Sequence, residues 1–171
     1  MKKNLFFIIF LLLGCSSKST YIEEISCPKV LFSSEHRNYI TSENSEISLN
    51  NIAYKANINN YSYDKKCIIN DKNILIDLSL LFVVNPEKTK NKEIYLPYYV
   101  AFINQNNELF HVEYFKVSGI FKINYDNEQF IETELIDKPN IQLKLENTDL
   151  DSINTIMIGF MLDDNKLKIL N

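Results

Sequence analysis

The sequence predicts an all-β fold, an antiparallel β-sandwich of two sheets, and three observations carry the prediction. Ile74 to Val84 alternates with a period of two, the signature of a strand packed on a core. Turn signals recur about every eight to twelve residues. After the first apolar run no helical period is sustained over about eleven residues. With 46% apolar and 12% aromatic residues, the chain is composed for a packed domain rather than for disorder.

Taken in order, short strands are predicted at Val30–Phe32, Ile52–Ile58 and Cys67–Ile69. Ser33 to Asn50 between them reads as a long polar loop with room for one helical turn. Ile74, Ile76, Leu78, Leu80, Phe82 and Val84 then form one apolar face. The opposite face turns apolar only near its end, so it should be partly covered. Ile94 to Ile103 is rich in strand formers, and Pro97, which lacks an amide donor, should sit at a strand start, bulge or edge. Gln105-Asn106-Asn107 is a hairpin turn into Leu109–Val117, since Asn tolerates positive φ. Further strands are predicted at Gly119–Tyr125, Gln129–Leu135, Ile141–Leu145 and Thr155–Leu162. Asp163-Asp164-Asn165 should turn the chain back into a strand at Leu167–Leu170. Many short strands without intervening helices give an immunoglobulin-like sandwich in architecture, although the hallmark tryptophan is missing because the chain has no Trp.

The first residues follow a different rule. Lys2 and Lys3 precede an apolar run, and Leu12-Leu13-Gly14-Cys15 closes it before the abruptly polar Ser16-Ser17-Lys18-Ser19. Leu5 to Leu13 is about nine residues, whereas a bilayer span needs about 20; the pattern suits a cleaved export signal. It resembles the lipobox of bacterial lipoproteins. That resemblance implies cleavage before Cys15 and a diacylglycerol on its sulfur, with two or more acyl chains making a stable anchor. By resemblance to lipoproteins with sorting rules, Ser16 after the lipidated cysteine implies the outer membrane, periplasmic face, because Asp there is the usual inner-membrane retention signal. The domain plan is a signal peptide over 1–14, lipidated Cys15 and a short tether over 15–26, and one sandwich domain over 27–171. A flexible ten-residue tether averages about 18 Å, which keeps the folded part near the membrane.

Charge and cysteine content narrow the classes further. Removing Lys2 and Lys3 takes the 18 basic residues to 16 against 22 acidic ones, a net charge of −6. An acidic body with Arg37 as its one arginine does not suit nucleic acid. Three cysteines would leave an odd thiol in an exported protein. With Cys15 lipidated, Cys27 and Cys67 remain, either as a bridge favoured by an oxidising compartment or as two buried thiols. A bridge would be a structural staple, for no CxxC pair is present.

Catalytic and metal-binding patterns are missing. Ser33-Ser34-Glu35-His36-Arg37 offers a serine, an acid and a base side by side, but adjacent residues rarely make a triad, and there is no nucleophile elbow. His36 reads as part of a solvated loop. His111 and Glu113 share one strand face and Phe110, Val112 and Tyr114 the other. A single His among scattered carboxylates has no zinc spacing. Glu132 and Glu134 have no cleft to make them a glycosidase pair. Asp149, Asp151, Asp163 and Asp164 lack the spacing of an EF-hand loop. Gly119 and Gly159 read as bulges rather than phosphate cradles. No cofactor or metal is implied.

The feature left over is aromatic: Tyr95, Tyr98, Tyr99 and Phe102, then Phe110, Tyr114 and Phe115. Most should fill the core, but alternation forces at least one of Tyr95, Tyr98 and Tyr99 outward, and tyrosine is enriched at interfaces. These three are the candidate partner-binding residues. Cys27-Pro28, Cys67 with the long strand after it, Tyr98-Tyr99-Val100-Ala101-Phe102 and Ile158-Gly159-Phe160-Met161-Leu162 together resemble a group of uncharacterised alphaproteobacterial envelope lipoproteins. Asn85-Pro86 departs from that group's Gly-Pro. The resemblance implies a Cys27–Cys67 pair and no activity. The expectation is a non-enzymatic interaction or assembly module that meets the membrane through Cys15 and an envelope protein through its fold. The alternative is a periplasmic carrier or chaperone with an apolar cavity of several hundred Å³, roughly the size of a ligand pocket.

Overall fold

The computed structural model describes residues 22–43, 47–70, 73–144 and 153–170, and it is all-β with mainly antiparallel sheets. Cys15, the signal segment before it and Asp149 and Asp151 lie outside the described residues. The strands are β1 Ile22–Ile25, β2 Lys29–Phe32, β3 Asn38–Ser42, β4 Ile52–Tyr63, β5 Cys67–Asn70, β6 Asn73–Pro86 and β7 Glu93–Asn104. They continue with β8 Leu109–Ile120, β9 Lys122–Asn124, β10 Gln129–Ile131, β11 Thr133–Asp137, β12 Asn140–Lys144 and β13 Ile153–Phe160, and end in a helix, α1 Asp164–Leu170.

The first sheet is organised around β6. β4 and then β5 pair along one of its edges, joined by three residues that cannot cross to the other. β11 and β12 pair along the opposite edge in one register, from Thr133↔Val84 to Lys144↔Asn73, interrupted at Lys138-Pro139 where proline has no donor. β1 flanks β5 and β3 flanks β4. The second sheet runs β2-β13-β7-β8, with β2 parallel to β13 and the other pairs antiparallel. β9 and β10 form a separate hairpin.

Alternation puts the core where the sequence predicts it. Ile74, Ile76, Leu78, Leu80, Phe82 and Val84 are all buried to 1% exposure or less. They join Ile94, Leu96, Tyr98, Val100 and Phe102 of β7 and Ile156, Ile158 and Phe160 of β13 in one cluster. Phe82 packs its ring against Tyr98 at 5.2 Å and Phe160 at 5.8 Å. The second face of β6 is partly covered as expected, with Asp77 exposed, Leu75 and Leu81 half-buried, and Ser79 and Val83 buried.

Tyrosine hydroxyls tie the two sheets together, because a buried phenol brings a large apolar ring and one polar group that needs a partner. Tyr98 Oη donates to Asp137 Oδ2 of β11 at 2.6 Å. Tyr63 Oη donates to the Pro28 carbonyl at 2.6 Å. Tyr54 Oη donates to the Tyr95 carbonyl at 2.9 Å and accepts from the Tyr95 amide at 3.1 Å. Pro97 explains that last pair. It lies inside β7 rather than at a strand start, and Met161 donates to its carbonyl at 3.0 Å. Having no donor to return, it ends the ladder with β13 at Phe160↔Tyr98. Two residues earlier, Tyr95 would have unpaired groups on the same side, and the Tyr54 hydroxyl satisfies both.

Cys27 and Cys67 are bridged, with Cα atoms 5.1 Å apart. The bridge follows the Ile25↔Cys67 pair and fastens the first strands to β5.

Four segments differ from what the sequence predicts. The end of the tether segment is a strand: β1 pairs with β5 through its backbone while Ile22, Glu23 and Glu24 stay exposed, so no burial pattern announces it. The polar loop over 33–50 contains β3, where Tyr39 enters the core and Ile40 is buried on the opposite face; with one apolar residue per face it has too little period to read. Leu167–Leu170 is helical, because Asp163 caps α1, its Oδ1 accepting from the Lys166 amide at 2.9 Å. The segments 119–125 and 129–135 each break, at Phe121, which is buried, and at Glu132. No helix of the described residues is long and apolar enough to cross a membrane.

Candidate functional site

The registers of the second sheet sort its residues by face. The core takes the even-numbered residues of β7 from Ile94 to Phe102, so the odd ones point out. Across the sheet, Leu31, Met157, Ala101 and Val112 stand in one row. On either side of it lie Thr155, Ile103 and Leu109 and then Gly159, Tyr99 and Tyr114, followed by Pro97 with Lys116 and by Tyr95 with Ser118. The charged residues on this outer face, among the described residues of the four strands, are Lys29, Glu93 and Lys116. On a chain of net charge −4 this is an apolar, aromatic and nearly neutral surface. Tyr95, Tyr114, Leu31 and Met161 are 51%, 68%, 40% and 42% exposed.

Gly159 shapes the middle of the face. Isolated glycines in strands predict bulges at Gly159 and Gly119, but the bulges of this sheet fall at Phe102/Ile103 and Ile153/Thr155. A Cβ on Gly159 would lie 2.6 Å from His36 Cβ and 2.6 Å from Tyr99 Oη, so glycine is there for close approach. A Cβ on Gly119 would collide with Leu135. His36 is accordingly half-buried on the sheet rather than loose in a loop. Its Nδ1 is 3.0 Å from the Phe160 carbonyl and its ring stands edge-on to Tyr99 at 5.7 Å. Lys116 Nζ sits 5.8 Å from the Tyr95 ring centre, a cation–π distance.

The three candidate tyrosines therefore part company. Tyr95 is exposed, Tyr99 is half-buried beneath His36, and both belong to the outer face. Tyr98 does not: it is fully buried, stacks on Phe115 at 5.5 Å and spends its hydroxyl on Asp137. Its phenol is pushed well above the ordinary tyrosine value, first by burial and then by the Asp137 carboxylate. Leu31, Met157 and Met161 were not anticipated. Leu31 comes from β2, Met157 from β13 and Met161 from the residue just past β13, and only the pairing of distant segments brings them beside β7.

A second feature is an open groove of about 740 Å³ on the outer side of the first sheet. Ile40, Ile52, Leu49, Ile169 and Leu170 supply apolar walls, and Asn38, Asn57, Asn85 and the Lys55–Glu87 ion pair at 2.8 Å supply a polar floor. His111 Nε2 lies 3.3 Å from Glu113 Oε1 on the side of β8 that faces the core, near the rim. Among the described residues no group of three or more His, Cys, Asp and Glu could hold a metal ion. Comparison of the chain with protein families, curated proteins and solved structures finds no match.

Proposed function

We propose that this chain is a lipoprotein acylated at Cys15 and held at the periplasmic face of the outer membrane. Its β-rich part, arranged as an immunoglobulin-like sandwich, acts as a non-enzymatic interaction module. The observation that carries the reading is the outer face of β2-β13-β7-β8, where Leu31, Met157, Tyr99, Tyr114 and Tyr95 lie side by side with few charges. Strand spacings give four strands of about seven residues a flat area of about 450 Å². That is the centre of a standard interface of about 800 Å² per partner, leaving the surrounding polar residues as rim. Covering its exposed apolar side chains would be favourable, and tyrosine and methionine are the residue types that interfaces concentrate. The partner is an envelope protein within reach of the short tether.

The groove beside α1 supports the second reading, a carrier of a lipid or other apolar ligand. It has the volume, but its asparagines and ion pair would face an apolar ligand without hydrogen-bond partners, which disfavours such a ligand.

Two measurements test the proposal. Metabolic labelling with a fatty acid should tag the wild type and not Cys15→Ala; an unlabelled wild type removes the anchor. Full-length protein extracted in mild detergent should co-purify with one envelope protein, and Leu31→Glu with Tyr114→Glu should release it at an unchanged melting temperature. A complex indifferent to both charges contradicts the docking face. An apolar small molecule recovered in its place favours the carrier.

A further inference from the structure

Among the described residues β8 is the last strand of the second sheet, and its far edge pairs with no other strand. Odd-numbered residues of β7 direct their backbone groups towards β13, as Met161 to Pro97 shows. Even-numbered ones therefore turn to β8, where they oppose Glu113, Phe115, Val117 and Gly119. The backbone groups of Val112, Tyr114, Lys116 and Ser118 then point outward. β8 pairs with β7 alone, and no other backbone bond of the described residues reaches these four. A bulge at Phe110 and the inward His111–Glu113 pair close off one end, two common protections of a sheet edge. From Val112 to Ser118 no described strand covers the edge, and Lys116 is the one charged residue whose backbone faces outward there.

We infer that a second copy of this chain occupies this edge, β8 against β8 antiparallel, across a two-fold axis at Phe115. The register follows from the side chains. Outward-pointing backbone groups must meet their own kind, so the axis falls on a residue of β8 and the alternatives are few. An axis at Glu113 sets carboxylate against carboxylate. At Lys116 it sets ammonium against ammonium. At Tyr114 it sets Lys116 against Val112, and at Val117 it sets Lys116 against Ser118, neither of which gives the ammonium a ring. At Phe115 alone, each Tyr114 opposes a Lys116, repeating between copies the cation–π contact that Lys116 makes with Tyr95, the two Phe115 rings meet, and each Glu113 stands opposite a Val117 while keeping its own His111 partner. About eight backbone hydrogen bonds would form, two at each hydrogen-bonded pair. The apolar outer face would extend unbroken over two four-stranded sheets. This inference stands on the β8 edge and does not depend on the docking partner proposed above.

Cysteine pairing in the full-length protein carrying Cys15→Ser, in detergent, tests it, since Cys27 and Cys67 are already bridged and no other thiol remains. Tyr114→Cys and Lys116→Cys, both exposed, are purified separately, then mixed and oxidised. Directly opposed Cα atoms at about 5.5 Å suit a disulfide, whereas diagonal neighbours at about 7–8 Å do not. The mixture should shift to twice the protomer mass on a non-reducing gel while each variant alone stays at protomer mass. Sedimentation of the wild type should give the same doubled mass. Tyr114→Cys linking to itself overturns the register. A wild type that sediments as one protomer at all concentrations, or edge cysteines that capture another protein, overturns the dimer while leaving the docking reading standing.

Discussion

Replacing Tyr54 by Phe removes one oxygen and leaves two backbone groups without a partner. The Tyr54 hydroxyl holds both the amide and the carbonyl of Tyr95, at 3.1 and 2.9 Å, where Pro97 has ended the ladder with β13. Tyr54 is buried, and its ring stacks edge-on to Phe121 at 5.7 Å, so the vacated space stays narrow. An unsatisfied backbone group away from solvent costs about 1–3 kcal/mol. Tyr95 is half-exposed, so water relieves part of that, and a loss of about 2–4 kcal/mol is expected. For a domain of this size that lowers the melting temperature by about 4–16 °C. Urea titration should show a lower midpoint with an unchanged slope, and hydrogen exchange should rise at the Tyr95 amide. Tyr125→Phe, at a residue 93% exposed, is the control and should change stability by less than about 0.5 kcal/mol. If Tyr54→Phe matched Tyr125→Phe, the tyrosine link between the sheets would be refuted.

Three further outcomes follow from the same geometry. Replacing Cys27 and Cys67 together by Ala frees a loop of 40 residues; the chain-entropy relation gives a loss of about 4 kcal/mol, read by urea titration. Stability should hold up to pH 10 and fall above it. Burial keeps the Tyr39 phenol up to about 12 and holds those of Tyr54, Tyr63 and Tyr98 above their ordinary 10.0. The unfolded chain therefore releases protons that the folded one retains, so rising pH favours unfolding; a melting temperature flat from pH 9 to about 12 would contradict this. Gly159→Ala should cost about 1–3 kcal/mol and displace the His36 ring, visible in its imidazole resonances, whereas an unchanged His36 signal would show that the contact yields freely.

How much was legible depended on where period and burial coincide. β6 announced itself because six residues of one parity are all buried, and β7 because its core face is equally regular. The disulfide was legible by counting once Cys15 was set aside. β1 and β3 were not, since one is held by backbone pairing and a bridge and the other has a single apolar residue per face. α1 was misread because Leu167, Ile169 and Leu170 are compatible with a strand, and the Asp163 cap decided otherwise. Of the site, Tyr95 and Tyr99 were legible as aromatic strand residues, but their parity relative to Tyr98 was set by the core. The contributions of Leu31, Met157 and Met161 depend on β2 and β13 meeting β7 from far along the chain. Gly159 carried a signal, an isolated glycine in a strand, whose meaning was close packing by His36 and Tyr99 rather than a bulge.

The claim that most needs testing is that the outer face of the second sheet meets a protein. A photoreactive residue at Tyr95 or Tyr99 of the full-length protein in intact cells, with Tyr125 as the exposed control on the β9–β10 hairpin, tests it directly. The account predicts one discrete protein adduct from Tyr95 and Tyr99, lost when Leu31→Glu is added, and none from Tyr125. Adducts to lipid alone, or the same adducts from all three positions, would contradict it.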